Sequence, residues 1–234
     1  MISVIYEDEN FLALSKPAGV LTHGIKNKES GIKESTVADW LLERYPEVKT
    51  VGDDPEERPG IVHRLDKDTS GVLLVARNQK TFDYLKKLFQ EHKITKTYLA
   101  LVWGKLAGGG IVDVPIGLKP GTVRRVIQGK NLKMVKEAVT EYKALKSFKK
   151  GADEFTLVEL VPKTGRTHQL RVHMKSVNHP VVGDAVYGPK KNPFGLHRQF
   201  LHAESIEFTK SDGSRLKLEA ELPGELREII DNFS

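Results

Sequence analysis

Two periods of apolar residues run along this 234-residue chain, and they separate strands from helices. Alternation is clearest in Lys96-Thr97-Tyr98-Leu99-Ala100-Leu101-Val102-Trp103, which stops at Gly104. Further strands are read at 4–6 and 11–15, joined by the polar turn 7–10, and at 72–76, 140–145, 155–161, 200–208 and 215–220. Helical spacing follows Ser35 or Thr36, where Val37, Trp40 and Leu41 recur up to Arg44, with Trp40 expected in the core and Pro46 helping to end the helix. A second helix is capped by Asn78 and buries Phe82, Leu85 and Leu88 or Phe89. Leu170, Val172, Met174 and Val177 are ambiguous in period; a helix is expected from near Thr167, with Arg166 exposed at its N-terminal edge. Pro223 opens a last helix with Leu226, Ile229 and Ile230 on one face. Gly108-Gly109-Gly110 reads as a flexible turn. Strands outnumber helices and the connections are short, so the fold class is α+β with a mixed, mainly antiparallel sheet.

Composition narrows the class. An apolar fraction of 39% supports a core, either one large domain or two small lobes sharing it. Residues 1–234 are taken as a single domain, since no clean boundary or repeat shows. No apolar run is long enough to span a bilayer, and the N-terminus lacks the pattern of a signal peptide. The chain has no cysteine, so disulfides and thiolate metal sites are excluded, and a cytoplasmic location is expected. The net charge of +6 favours a polyanionic partner. That charge clusters at 115–137, where Lys119, Arg124, Arg125, Lys130, Lys133 and Lys136 precede the first acid, Glu137. Val123, Val126 and Ile127 suggest a hairpin there, and a basic hairpin reads as a clamp on RNA or DNA phosphates.

The chemistry concentrates in Gly60-Ile61-Val62-His63-Arg64-Leu65-Asp66-Lys67-Asp68-Thr69-Ser70-Gly71, directly before the buried strand 72–76. An acid-rich turn on a buried strand can hold a carboxylate in place, and Asp66 is the candidate. A structural ion pair with Arg64 accounts for the same spacing. Lys16, at a strand end before Pro17, is either a surface turn lysine or a phosphate contact. Eight histidines invite a metal, yet no His-Glu-x-x-His pattern exists, and His63, His168 and His173 read as hydrogen-bonded scaffold. Phosphate-loop and dinucleotide fingerprints are missing, so side chains must carry the chemistry.

His63-Arg64-Leu65-Asp66-Lys67-Asp68-Thr69-Ser70-Gly71 resembles the signature of the RluA-type pseudouridine synthase family. Lys16-Pro17-Ala18-Gly19, Lys96-Thr97-Tyr98-Leu99-Ala100, Gly165-Arg166-Thr167-His168-Gln169-Leu170-Arg171-Val172-His173 and His179-Pro180-Val181-Val182-Gly183-Asp184 resemble its other motifs, in the family's order. The resemblance implies conversion of uridine in ribosomal or transfer RNA to its C-glycoside isomer. It also implies a sheet in two halves around a basic cleft, no metal or organic cofactor, and RNA as the partner of a monomeric enzyme. Asp66 becomes the expected catalytic aspartate, Tyr98 the ring that stacks on uracil, and Arg166 the partner of Asp66. Lys16, His63, Arg64, Arg124, Arg125 and Leu170 are expected on the substrate or RNA side. The first strand begins at Val4, so the small RNA-binding domain that precedes the first motif in many relatives is not expected.

Overall fold

The computed structural model describes residues 1–24, 35–122 and 124–232; Val123 of the expected hairpin lies outside them. In chain order the elements begin with β1 (Ser3–Glu7), β2 (Phe11–Lys16), α1 (Val37–Arg44), a short 3-10 helix (Pro46–Thr50), β3 (Ser70–Ala76), α2 (Gln79–Gln90) and β4 (Thr95–Trp103). They continue with β5 (Gly109–Asp113), β6 (Ile116–Leu118), β7 (Arg125–Val126), β8 (Lys133–Lys136), β9 (Val139–Lys150) and β10 (Asp153–Pro162). The last are α3 (Gln169–Ser176), β11 (Leu201–Thr209), β12 (Arg215–Glu219) and α4 (Gly224–Asp231). The fold is α+β with largely antiparallel pairing, as the alternation implied. Two compact units form, one from Met1–Ile94 with Glu204–Glu221, the other from Thr95–Ala203 with Leu222–Ser234.

In the first unit β2 pairs antiparallel with both β1 and β3, and β12 with β11. Phe11 and Ala13 of β2, with Val72 and Leu74 of β3, face a core closed by Phe82, Leu85 and Leu88 of α2. Each of those three helix side chains contributes about 1.5–3 kcal/mol by leaving water. The alternate residues Leu12, Leu14, Leu73 and Val75 are fully buried too. A strand covered on both faces explains why 72–76 reads as a continuous apolar run. Helix α1 starts at a capping box, in which Thr36 Oγ1 accepts the Asp39 N–H and the Asp39 carboxylate accepts the Thr36 N–H. Trp40 departs from its expected core role. It is half-exposed, with the Arg44 guanidinium 5.1 Å from its ring.

In the second unit β10 lies between β4 and β9, antiparallel to both, and β5 pairs with β9. Tyr98, Ala100 and Val102 of β4 pack with Leu170 and Met174 of α3. Leu99 and Leu101 point the other way, toward Leu226 and Ile229 of α4. A separate three-stranded sheet, in the order β7-β6-β8, holds the basic segment.

Two expectations are corrected here. Gly109 and Gly110 belong to β5, because Tyr142 occupies the space where their side chains would stand. A Cβ on Gly110 would sit 2.6 Å from the Tyr142 hydroxyl. Helix α3 starts at Gln169 rather than near Thr167, since His168 takes the left-handed conformation (φ 56°) and breaks the turn. Arg166 then lies three residues before the helix, half-buried rather than exposed.

Candidate active site

Asp66 is half-buried in the first unit, on a loop whose backbone is fixed on both sides of it. On one side, Leu65 is buried and the buried Thr22 hydroxyl both accepts its N–H (3.3 Å) and donates to its carbonyl (2.9 Å). On the other, the Lys67 carbonyl accepts from Lys16 Nζ (2.9 Å) and from the Gly19 N–H (3.0 Å). A turn closes between them, the Thr69 N–H donating to the Asp66 carbonyl at 3.1 Å. Upstream, Gly60 has φ 66°, and a Cβ there would stand 2.3 Å from the Ala76 carbonyl oxygen, so only glycine fits. The motif therefore presents the Asp66 carboxylate from a pre-set backbone.

Lys16 is a buried bracing residue and not a surface turn lysine. It is 1% exposed and donates to the carbonyls of Pro17, Val20 and Lys67 at 2.8, 2.8 and 2.9 Å. An ammonium has three N–H groups, and all three are engaged. His63 is scaffold as well. Its Nε2 accepts the Leu74 N–H at 2.9 Å, so that nitrogen carries no proton, and the ring stacks on Phe89 with centroids 4.7 Å apart. Arg64 is exposed, as an RNA contact requires.

Tyr98 and Arg166 lie in the second unit. Tyr98 is half-buried at the edge of the cluster shared by β4 and α3. Leu170, expected near substrate, is 6% exposed and belongs to that cluster's packing. Lys96, two residues before Tyr98, is a half-buried residue that sequence reasoning passed over. Its Nζ would stand 3.8 Å from a methyl group on Gly165. Burial, and then the charge of Arg166, push its ammonium down to about 8. Its only sequence signal is the shared strand phase with Tyr98.

A buried polar network fixes the backbone of Arg166. Gln169 Oε1 accepts the Arg166 N–H (3.0 Å) and the Thr164 hydroxyl (2.7 Å), while its Nε2 donates to the Val139 carbonyl and to Thr140 Oγ1, both at 3.0 Å. Thr140 Oγ1 is 2.9 Å from Nδ1 of the fully buried His173, whose Nε2 lies 3.0 Å from the Val114 carbonyl. A carbonyl only accepts, so the proton sits on Nε2 and the Thr140 hydroxyl donates to Nδ1. Burial, set against the bond to Val114, holds His173 below its ordinary value and hence neutral. Its scaffold role is thus the one read from the sequence. Arg166 itself donates from Nε to the Glu137 carbonyl at 2.9 Å.

The basic segment divides by exposure. Arg124 and Arg125 are half-buried: Arg124 donates to the Val186 carbonyl (2.6 Å) and lies over the Tyr187 ring, and Arg125 Nε is buried. Lys119, Lys130, Lys133 and Lys136 are the cations that face solvent there. The arginines brace the sheet, and the exposed lysines supply most of its outward charge. Arg171 and Asp184 form a buried bidentate pair (2.6 and 2.9 Å). Burial opposes the Asp184 anion, but Arg171 and the N–H groups of Val186 and Tyr187 outweigh it and hold its carboxyl below the usual range. Among the described residues, no group of three or more His, Asp or Glu side chains could hold a metal ion, and no helix is long and apolar enough to cross a membrane.

Comparison with known proteins matches the chain to a family described as RNA pseudouridylate synthase, over residues 10–176. A Borreliella burgdorferi protein named ribosomal large subunit pseudouridine synthase D is 38% identical, over 99% of this chain and 68% of its own length. A Bacillus subtilis protein named as an uncharacterised RNA pseudouridine synthase is 37% identical, over 99% of this chain and 73% of its own. The chain thus spans about two thirds to three quarters of the length of these two relatives. Among solved structures, human RNA pseudouridylate synthase domain containing 1 superposes with a TM-score of 0.74 at 28% identity, covering 95% of this chain and 84% of that one.

Proposed function

Because the chain belongs to the RNA pseudouridylate synthase family, a family of isomerases, we propose that it converts specific uridines in RNA to pseudouridine with Asp66 as the catalytic carboxylate. The observation that carries this reading is the clamped backbone on both sides of Asp66. A reacting carboxylate must meet the sugar in one geometry, and a loop fixed before substrate arrives supplies it.

The reaction breaks the bond between the anomeric carbon and uracil N1, turns the base, and joins the same carbon to uracil C5. The proton on C5 is lost to solvent and N1 gains one, so no other reactant is consumed. The Asp66 anion assists either by attacking the anomeric carbon or by removing a proton from the sugar. A base inside a helix must be flipped out to be reached. Tyr98 replaces the stacking given up by the flipped base, an interaction worth roughly 1–3 kcal/mol. Arg166 is assigned as the cation that assists Asp66 in this step, the role the family resemblance implies. Arg64 and the outward lysines Lys119, Lys130, Lys133 and Lys136 take the flanking phosphates.

Ribosomal RNA is favoured over transfer RNA as substrate, because the Borreliella relative carries a name that places its action on the large ribosomal subunit. The working enzyme in this reading is a monomeric cytoplasmic protein in which residues 1–234 act as one catalytic domain. The test is incubation with ribosomal RNA tritiated at uridine C5. Release of tritium to water without free uracil supports isomerisation. Free uracil indicates a base-excising enzyme, and no release indicates a binding module that only kept the fold.

A further inference from the structure

We propose that Tyr187 is a positioning residue that ties the basic three-stranded sheet to the segment carrying Arg166, so that RNA gripped by the sheet helps set the Arg166 guanidinium. The proposal rests on the functional reading above and deepens it. Two separate hydrogen-bonded ties join the same two parts of the second unit. In the first, the Tyr187 hydroxyl accepts the backbone N–H of Arg125 in β7 at 3.0 Å and lies 2.9 Å from Nδ1 of His168. In the second, Arg166 Nε donates to the carbonyl of Glu137, the residue that follows β8. One edge strand of the small sheet, β7, thus connects to residue 168, and the residue that follows its other edge strand, β8, connects to residue 166.

His168 stands where such a tie has leverage. It is in the left-handed conformation between Arg166 and α3 and offers the helix no side-chain cap. A residue held there is at a joint, not inside a rigid element. Tyr187 is suited to hold it, being 3% exposed with its ring packed against Ile116, Ala138 and Val172. The guanidinium of Arg124 lies 5.3 Å from the ring centroid and that of Arg171 5.2 Å. Arg171 is locked in turn to Asp184, whose carboxylate also takes the Tyr187 N–H. Packing therefore fixes the ring, and the hydroxyl alone reaches the two ends of the tie. Burial keeps that hydroxyl protonated.

Tyr187→Phe removes the tie and keeps the ring, its packing and its cation interactions. The assay is tritium release from C5-tritiated ribosomal RNA under saturating and limiting RNA, beside thermal unfolding. The expected result is a fall in kcat of about tenfold with KM within about twofold and a fully folded enzyme at the assay temperature. His168→Asn, which accepts the left-handed backbone, should lower kcat to a similar extent, and the double variant should lose no more than either single one. An unchanged kcat, a loss confined to KM, or additive losses in the double variant overturns the proposal. Should Tyr187→Phe fail to fold, His168→Asn carries the same kcat criterion alone. Wild-type enzyme that releases no tritium overturns the functional reading instead, so the two failures are distinguishable.

Discussion

Lys16 Nζ donates to the carbonyl of Lys67, the residue directly after Asp66, at 2.9 Å. One basic residue from the first hairpin thereby braces the loop of the proposed catalytic acid, and the Pro17 and Val20 carbonyls complete its cage. Lys16→Met would strand all three carbonyls. With each buried unsatisfied polar group costing about 1–3 kcal/mol and some relaxation expected, a stability loss of roughly 3 kcal/mol is predicted. Urea unfolding measures it. A variant of normal stability that shows only weaker, salt-sensitive RNA binding would identify Lys16 as a phosphate contact after all.

Gln169 uses both donors and both acceptor positions of its amide. Gln169→Leu is close in volume but leaves the Arg166 N–H and the Thr164 hydroxyl without their acceptor. A loss of about 2–4 kcal/mol follows from the stranded groups. Activity should fall further than the folded fraction, because the backbone that aims Arg166 is released. Thermal unfolding and tritium release on the same sample compare the two.

The second-unit cations predict an alkaline titration. Lys96 is pushed down to about 8, by burial first and then by Arg166. In the unfolded chain a lysine stays protonated to about 10.4. Between those values the unfolded state binds more protons, so the Lys96 contribution to stability improves as pH rises from about 8 toward 10. NMR of side-chain-labelled lysine should show one ammonium titrating well below the others. Arg166→Ala removes a like charge and should move that titration upward. A downward movement, or none, contradicts the assignment.

Charge on the small sheet should be read by salt. Lys133→Ala with Lys136→Ala removes two solvent-facing cations while leaving Arg124 and Arg125 in their bracing positions. The slope of log affinity against log salt should flatten by about 0.7–0.9 for each phosphate that the variant no longer neutralises. An unchanged slope in a filter-binding titration would place the RNA elsewhere.

The strands of this fold were legible because alternation is a local property. The pairs Leu99/Ala100 and Leu101/Val102 already separate the two faces later covered by α4 and α3. The motif around Asp66 was equally visible, since its glycines and acids are contiguous. What stayed hidden depends on residues distant in sequence. Lys16 looked solvent-facing because its cage closes only when the Lys67 carbonyl, 51 positions away, folds over it. Gly109 and Gly110 read as a turn because nothing nearby shows that Tyr142 fills their side-chain space. Arg124 and Arg125 counted as free charge until Tyr187 and Val186 arrived from 62 positions on. The left-handed His168 gave no signal, as one positive φ at a non-glycine residue leaves no periodic trace in the sequence.

The central claim is that the Asp66 carboxylate performs the chemistry. Asp66→Asn keeps the size and the backbone turn to Thr69 but removes the anion. Its tritium release from C5-tritiated ribosomal RNA, measured beside RNA affinity, tests this most directly. The prediction is release at background with affinity within about threefold of wild type, less than the tenfold that about 1.4 kcal/mol represents. Release at the wild-type rate from the Asn variant would contradict the claim.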